Sequence, residues 1–67
     1  MNANQIARLM LVTTQAYLRK EVPHEEYVDI VQGLAAQARA AGIGDAAAAA
    51  YNQMCLDWHA RNEASAA

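Results

Sequence analysis

Cys55 and His59 are the two side chains whose types and spacing come closest to those of a chemical site. They lie four positions apart, so a helix would place both on one face, with Asp57 nearby. A thiolate and an imidazole can begin a zinc or copper site, but structural zinc needs four ligands and His24 is the only other histidine. We therefore expect no metal site and interpret Cys55 as a buried cysteine beside a half-exposed histidine.

The same Cys–His pair could in principle serve nucleophilic catalysis, because side chains four apart on a helix are neighbours. A nucleophile and its base need a third group that orients the base, and donors that stabilise an oxyanion, and the sequence suggests neither. It also lacks a glycine-rich phosphate loop and a carboxylate pair in a cleft. We expect no catalytic residue and no bound cofactor, and we predict that the chain is not an enzyme.

Acidic side chains gather around the start of the second predicted helix, with Tyr27 among them: Glu21, Glu25, Glu26 and Asp29. Carboxylates in the first turn of a helix face the positive end of its dipole, so one interpretation is a solvated helix start. The alternative is a docking patch for a basic partner surface, one that imitates nucleic acid. We take Glu25, Glu26, Tyr27 and Asp29 as the candidate partner-binding residues.

The clearest break in the helical pattern is the segment 40–46, Ala-Ala-Gly-Ile-Gly-Asp-Ala. Gly42 is placed to adopt the left-handed conformation that follows many helix ends, and Ile43 can make the apolar contact that accompanies it. Asp45 is a candidate N-cap for the next helix. As the corner of a plain helical hairpin, this segment would fold the third helix back onto the second.

Residues 35–43 loosely resemble the first helix and turn of bacterial helix-turn-helix repressors, with a small residue before a glycine and an aliphatic residue. The resemblance implies a recognition helix in which Asn52 and Gln53 would read bases. However, no Lys or Arg follows the corner until Arg61, so side chains that would contact phosphates are missing. We favour the hairpin corner and expect binding to nucleic acid to be unlikely.

The elements that would position these residues are three helices, predicted at 4–21, 23–41 and 46–61, with a frayed tail at 62–67. Asn2 or Asn4 can cap the first helix. Proline disfavours helical geometry in the residue before it, so Val22-Pro23 ends that helix, and Pro23 suits the first position of the next. The predicted fold class is all-α: a small three-helix bundle, made of a helical hairpin plus an N-terminal helix, in a single domain spanning 1–67.

The first helix carries two apolar stripes. Its predicted core face recurs at three- and four-residue steps: Ile6, Leu9, Met10, Thr13, Ala16 and Tyr17. A second stripe, Leu11, Leu18 and Val22, lies about 140° round the helix from Ile6. A hairpin covers only one stripe, so the second is core shared with the third helix, a dimer seam or a partner-binding face, and we favour self-association. We interpret Arg8, Gln15 and Arg19 as a solvated strip unless a partner places acidic groups opposite.

Composition explains why association is expected. The chain has 67 residues, and although 55% are hydrophobic, 17 are alanine, which buries little area. Chains this short need help from disulfides, a metal or oligomerisation, and Cys55 has no partner for a disulfide. A single free thiol, no long apolar run and no basic leader suggest a cytoplasmic protein without a membrane span.

These observations favour a small, non-enzymatic protein-interaction module that forms a homodimer. It would act sterically, as an adaptor or inhibitor of another protein, and phages or mobile elements encode inhibitors of host systems with this size and charge. The formal net charge is −2, which offers no general attraction to nucleic acid or anionic lipid. The alternative is a dimeric helix-turn-helix transcriptional regulator that binds DNA through the corner.

Overall fold

The computed structural model describes the backbone of residues 1–66 and the side chains of residues 1–62. It contains three α-helices, α1 (Ala3–Leu18), α2 (His24–Ala40) and α3 (Gly44–Ala66). No strand occurs within residues 1–66. The prediction of an all-α, three-helix fold is therefore confirmed.

Local capping fixes the start of α1. Asn2 is the N-cap: its side-chain oxygen accepts a hydrogen bond from the Gln5 backbone N–H at 2.8 Å, and the Asn2 backbone N–H donates to Gln5 Oε1 at 2.8 Å. This reciprocal capping box satisfies two backbone donors that the helix itself leaves unpaired. Of the two predicted caps, Asn2 is the one the structure uses.

α1 ends at Leu18, three residues before the predicted end. Lys20 adopts a left-handed backbone with φ 63°, its N–H donates to the Tyr17 carbonyl at 2.9 Å, and the Glu21 N–H donates to the Ala16 carbonyl at 3.0 Å. This pair of bonds is a Schellman ending. The sequence did not predict it, because position 20 holds a lysine where such endings usually have a glycine. Pro23 is the N-cap of α2, not its first residue, with extended φ −68° and ψ 157°.

The end of α2 follows the expected pattern. Gly42 takes φ 75°, and its N–H donates to the Arg39 carbonyl at 3.1 Å. The Ile43 N–H donates to the Ala38 carbonyl at 2.9 Å, and the Ile43 side chain packs against the core. The predicted left-handed glycine with its apolar plug is confirmed, again as a Schellman ending.

α3 differs from the prediction at both ends. It begins at Gly44, so Asp45 lies in its first turn and is not the N-cap. It continues to Ala66, through positions where a frayed tail was predicted, while residue 67 lies outside the described part. No glycine or proline follows Gly44, and alanine is the strongest helix former, so nothing in the sequence stops the helix earlier.

The three helices pack around α1. α1 contacts both neighbours, α3 more extensively than α2, while α2 and α3 touch each other least. The corner at Gly42 thus brings α3 against α1, rather than back onto α2 as expected. The principal-axis extents are 41 × 25 × 13 Å. The smallest extent, 13 Å, is about the thickness of two packed helices, so few side chains can lie far from solvent.

The core is correspondingly small. Within the described side chains, the buried hydrophobic residues are Ile6, Ala7, Ala38 and Ala47. Met10, Leu34 and Ile43 are half-buried against them. Ile6 is the only large side chain that is fully buried among those described. None of the described helices is long and apolar enough to cross a membrane.

Candidate functional site

One threonine on α1 joins all three helices through hydroxyl groups. Thr14 Oγ1 donates to the Met10 carbonyl at 2.8 Å and lies 3.0 Å from the Tyr51 hydroxyl and 3.4 Å from the Tyr27 hydroxyl. A threonine hydroxyl has one proton and two lone pairs, and that proton is used on Met10. Both tyrosines therefore donate to Thr14, which links α2 and α3, the pair of helices with the least direct contact.

Tyr17 and His24 extend this cluster. The rings of Tyr17 and Tyr27 stack with centroids 4.5 Å apart and planes 16° apart, a favourable aromatic arrangement. The Tyr17 hydroxyl lies 3.2 Å from His24 Nδ1, and the two rings are 5.7 Å apart. All three tyrosines of the chain thus lie close together. We name Thr14, Tyr17, His24, Tyr27 and Tyr51 the tyrosine cluster.

Burial raises the pKa of Tyr51 above its usual value, because the phenolate would lose hydration. The Thr14 hydroxyl opposes this rise, since it would turn to donate to a phenolate, whereas the nearby Cys55 thiol adds to it. The direction favours a neutral phenol that acts as a hydrogen-bond donor. The cluster is therefore a hydrogen-bonded polar network that positions helices, and no described side chain in it is arranged as a nucleophile with its base.

The residues expected to bind a basic partner divide into two groups. Tyr27 is half-buried and faces α1 through its stack on Tyr17. Glu25, Glu26 and Asp29 are exposed at the start of α2. The structure therefore keeps the three carboxylates on one solvent-facing surface, which we name the acidic turn, and places the tyrosine in the bundle.

Cys55 is a half-buried free thiol, and His59 and Asp57 are exposed. Asp57 Oδ1 accepts a hydrogen bond from Gln53 Nε2 at 3.1 Å, and the His59 ring lies 5.3 Å from that of Trp58. Within the part of the chain described, no three His, Cys, Asp or Glu side chains come close enough together to hold a metal ion. Asn52 and Gln53, the candidate base-reading residues, are both exposed.

The second stripe of α1 is only partly covered. Leu11 and Val22 are half-buried, whereas Leu18 is 58% exposed. We retain the name second stripe for Leu11, Leu18 and Val22. Leu18, at the end of α1, is thus open to contact with another surface.

The sequence missed a third apolar surface on α1. Leu9 was predicted in the core, yet it is 44% exposed, and Val12 is 52% exposed. Together with Met1, Gln5 and Arg8 they form what we name the outer face, where Met1, Gln5, Arg8 and Leu9 line a shallow groove of about 480 Å³. The core side instead uses Ile6, Ala7, Met10 and Thr14, which follow the same three- and four-residue steps.

Comparison of the chain with protein-family models, with curated proteins and with solved structures gives no match.

Proposed function

We propose that the chain is a small, non-enzymatic protein-interaction module, which works as a homodimer in the cytoplasm. It acts sterically, as an adaptor or as an inhibitor that covers a partner's working surface, in the manner of inhibitors of host systems encoded by phages or mobile elements. The second stripe forms the contact between protomers. The acidic turn contacts a basic surface of the partner.

The observation that carries this proposal is the imbalance between core and surface. Ile6 is the only described large side chain that is fully buried, whereas Leu18 is 58% exposed. The surface area is 4713 Å², against about 4,100 Å² expected for a folded monomer of this mass. The radius of gyration is 12.6 Å, compared with about 11 Å for a compact domain of this length. A chain with so little core gains stability when another surface covers it.

The dimer is tested with a pair of variants that change two similarly exposed leucines. Leu18→Glu places a charge in the proposed seam, and Leu56→Glu places one on α3, where Leu56 is 64% exposed. Both positions are open enough for a monomer to tolerate glutamate. We expect sedimentation equilibrium to give a dimer mass for the wild type and for Leu56→Glu, and a monomer mass for Leu18→Glu. A wild-type monomer mass at the highest soluble concentration would exclude the seam.

The partner-binding part of the proposal rests on the three exposed carboxylates of the acidic turn. Charges of one sign on one surface select a partner of the opposite sign and speed its association. We expect the wild-type chain, immobilised on an affinity column, to retain a basic host protein. The triple variant Glu25→Lys, Glu26→Lys and Asp29→Lys should not retain that protein. Retention by both chains alike would contradict a role for the acidic turn.

A gel-shift assay at low salt distinguishes the proposed function from the alternative, a dimeric helix-turn-helix regulator. Asn52 and Gln53 are exposed, but the Gln53 amide already bonds to Asp57 within α3. Under our proposal, DNA fragments show no sequence-selective shift. Selective binding that disappears in the double variant Asn52→Ala and Gln53→Ala would overturn the interaction-only function in favour of the regulator.

A further inference from the structure

We propose that the outer face of α1 is a second docking surface, which binds an amphipathic helix bearing carboxylates. It is distinct from both surfaces of the proposed function. At 100° per residue, Val12 lies about 160° round α1 from the core residue Met10 and about 120° from Leu18 of the second stripe. Val12 therefore points away from the bundle and away from the proposed seam.

The apolar part of the outer face is made of Met1, Leu9 and Val12, which are 66%, 44% and 52% exposed. Leu9 and Met1 line the groove of about 480 Å³, together with Gln5 and Arg8. From Gln5 to Val12 the face extends about 10 Å along the axis, two turns of helix. A partner helix whose apolar side chains recur at three- and four-residue steps can lay that stripe along the groove.

Charge identifies the chemistry of the partner. Arg8 is the only charged residue within α1, in a chain whose formal net charge is −2. Among the side chains described, Arg19 is paired with Glu21 at 3.1 Å, whereas Arg8 has no carboxylate within ion-pairing distance. An arginine beside exposed aliphatic side chains favours a partner carboxylate, which it can bind through two parallel hydrogen bonds.

The same charge argues against the outer face of a second copy as the occupant. α1 contains no acidic residue. A symmetric contact of the outer face with itself would bring two Arg8 side chains near each other with no carboxylate between them. Like charges at close range oppose such a pairing, so a foreign acidic helix fits better than a copy of α1.

The test uses a synthetic amphipathic peptide of about 14 residues, with leucine at three- and four-residue steps and glutamate elsewhere. Its control has lysine in place of every glutamate. The full chain, labelled with ¹⁵N, is titrated with each peptide while backbone amide shifts are recorded. We expect saturable shifts concentrated at residues 5–12 with the glutamate peptide, weakened at least about tenfold by about 0.5 M NaCl, and no saturation there with the lysine peptide.

Variants make the assignment specific. Arg8→Glu and Val12→Gln should each weaken binding of the glutamate peptide about tenfold or more. Leu56→Gln, at a 64% exposed leucine of α3, should leave binding unchanged. Equal binding of the lysine peptide, shifts centred outside α1, or an unaltered Arg8→Glu titration would each overturn the proposal. A change in the protein's own sedimentation mass in Val12→Gln would assign the face to a second copy instead. The dimer proposal is tested by the sedimentation mass of Leu18→Glu, and the docking proposal by amide shifts at residues 5–12. Either proposal can therefore fail while the other holds.

Discussion

Thr14→Val is the substitution that most directly tests how the helices are held together. Valine keeps the shape of threonine but removes the only described side-chain atom that bonds to both α2 and α3. Thr13 provides a matched control on the same helix, because its hydroxyl donates only to the Leu9 carbonyl, at 2.7 Å, just as Thr14 donates to Met10 at 2.8 Å. Differences in helix propensity and in the local bond therefore cancel between the two variants.

The expected magnitude follows from the two interhelical bonds. A typical intramolecular hydrogen bond contributes about 0.5–1.5 kcal/mol net. The Tyr51 bond, at 3.0 Å, is near the usual O–H···O range, while the Tyr27 bond, at 3.4 Å, is long and counts at the low end. We expect Thr14→Val to cost about 1.5 kcal/mol more than Thr13→Val. A domain this small has only about 3–5 kcal/mol of stability, so the loss is a large fraction of it.

Urea unfolding followed by circular dichroism at 222 nm measures the free energy of unfolding of each variant. A change of 1 kcal/mol shifts the thermal unfolding midpoint of a small domain by about 4–8 °C, so the midpoints of the two valine variants should differ by about 6–12 °C. A double-mutant cycle of Thr14→Val with Tyr51→Phe should give a coupling energy of about 1 kcal/mol. Equal stabilities of Thr13→Val and Thr14→Val, or a coupling energy of zero, would refute the role assigned to the hydroxyl network.

Four further predictions concern helix ends and one titrating group. Lys20 and Gly42 both have positive φ, which glycine adopts more easily than other residues. Lys20→Gly should therefore raise the free energy of unfolding by about 1 kcal/mol. Gly42→Ala should lower it by about 1–2 kcal/mol, and this loss is purely conformational because a Cβ at Gly42 meets no neighbour. Asn2→Ala should cost about 1 kcal/mol in the same urea assay through loss of the capping box. Folding raises the pKa of Tyr51, so above about pH 10 the folded chain binds more protons than the unfolded chain. The free energy of unfolding should therefore fall as the pH rises above about 10. Tyr51→Phe should reduce this fall; an identical alkaline slope in the variant would contradict the assignment.

Much of the fold could be predicted from local signals. The capping residue Asn2, the break before Pro23 and the left-handed Gly42 act over a few neighbouring residues, so they are legible in a single sequence. The left-handed Lys20 was missed because lysine rarely takes that conformation, and only the two carbonyl bonds it completes reveal the ending. The length of α3 was underestimated because polar residues near its end were interpreted as tail, although none of them breaks a helix.

The candidate sites were less accessible, and Leu9 shows why. Hydrophobic periodicity assigns large apolar residues to the core, but α1 instead turns Ala7 and Thr14 inward and leaves Leu9 and Val12 outside. Small side chains allow helices to approach closely, so a face with little hydrophobic area can still be the packed one. The tyrosine cluster was missed for a related reason: Tyr17, Tyr27 and Tyr51 belong to different helices, and their convergence depends on how those helices are arranged.

The sequence by itself determined three helices and their approximate limits, because helix starts and ends depend on neighbours along the chain. Only the tertiary structure decided that α3 packs mainly on α1, that Thr14 receives hydroxyls from both other helices, and that Arg8 lies beside exposed aliphatic side chains. The physical reason is that the alanine-rich faces differ little in hydrophobicity. Which face is buried is then decided by close packing and by side-chain hydrogen bonds between helices, and both exist only when the helices have met.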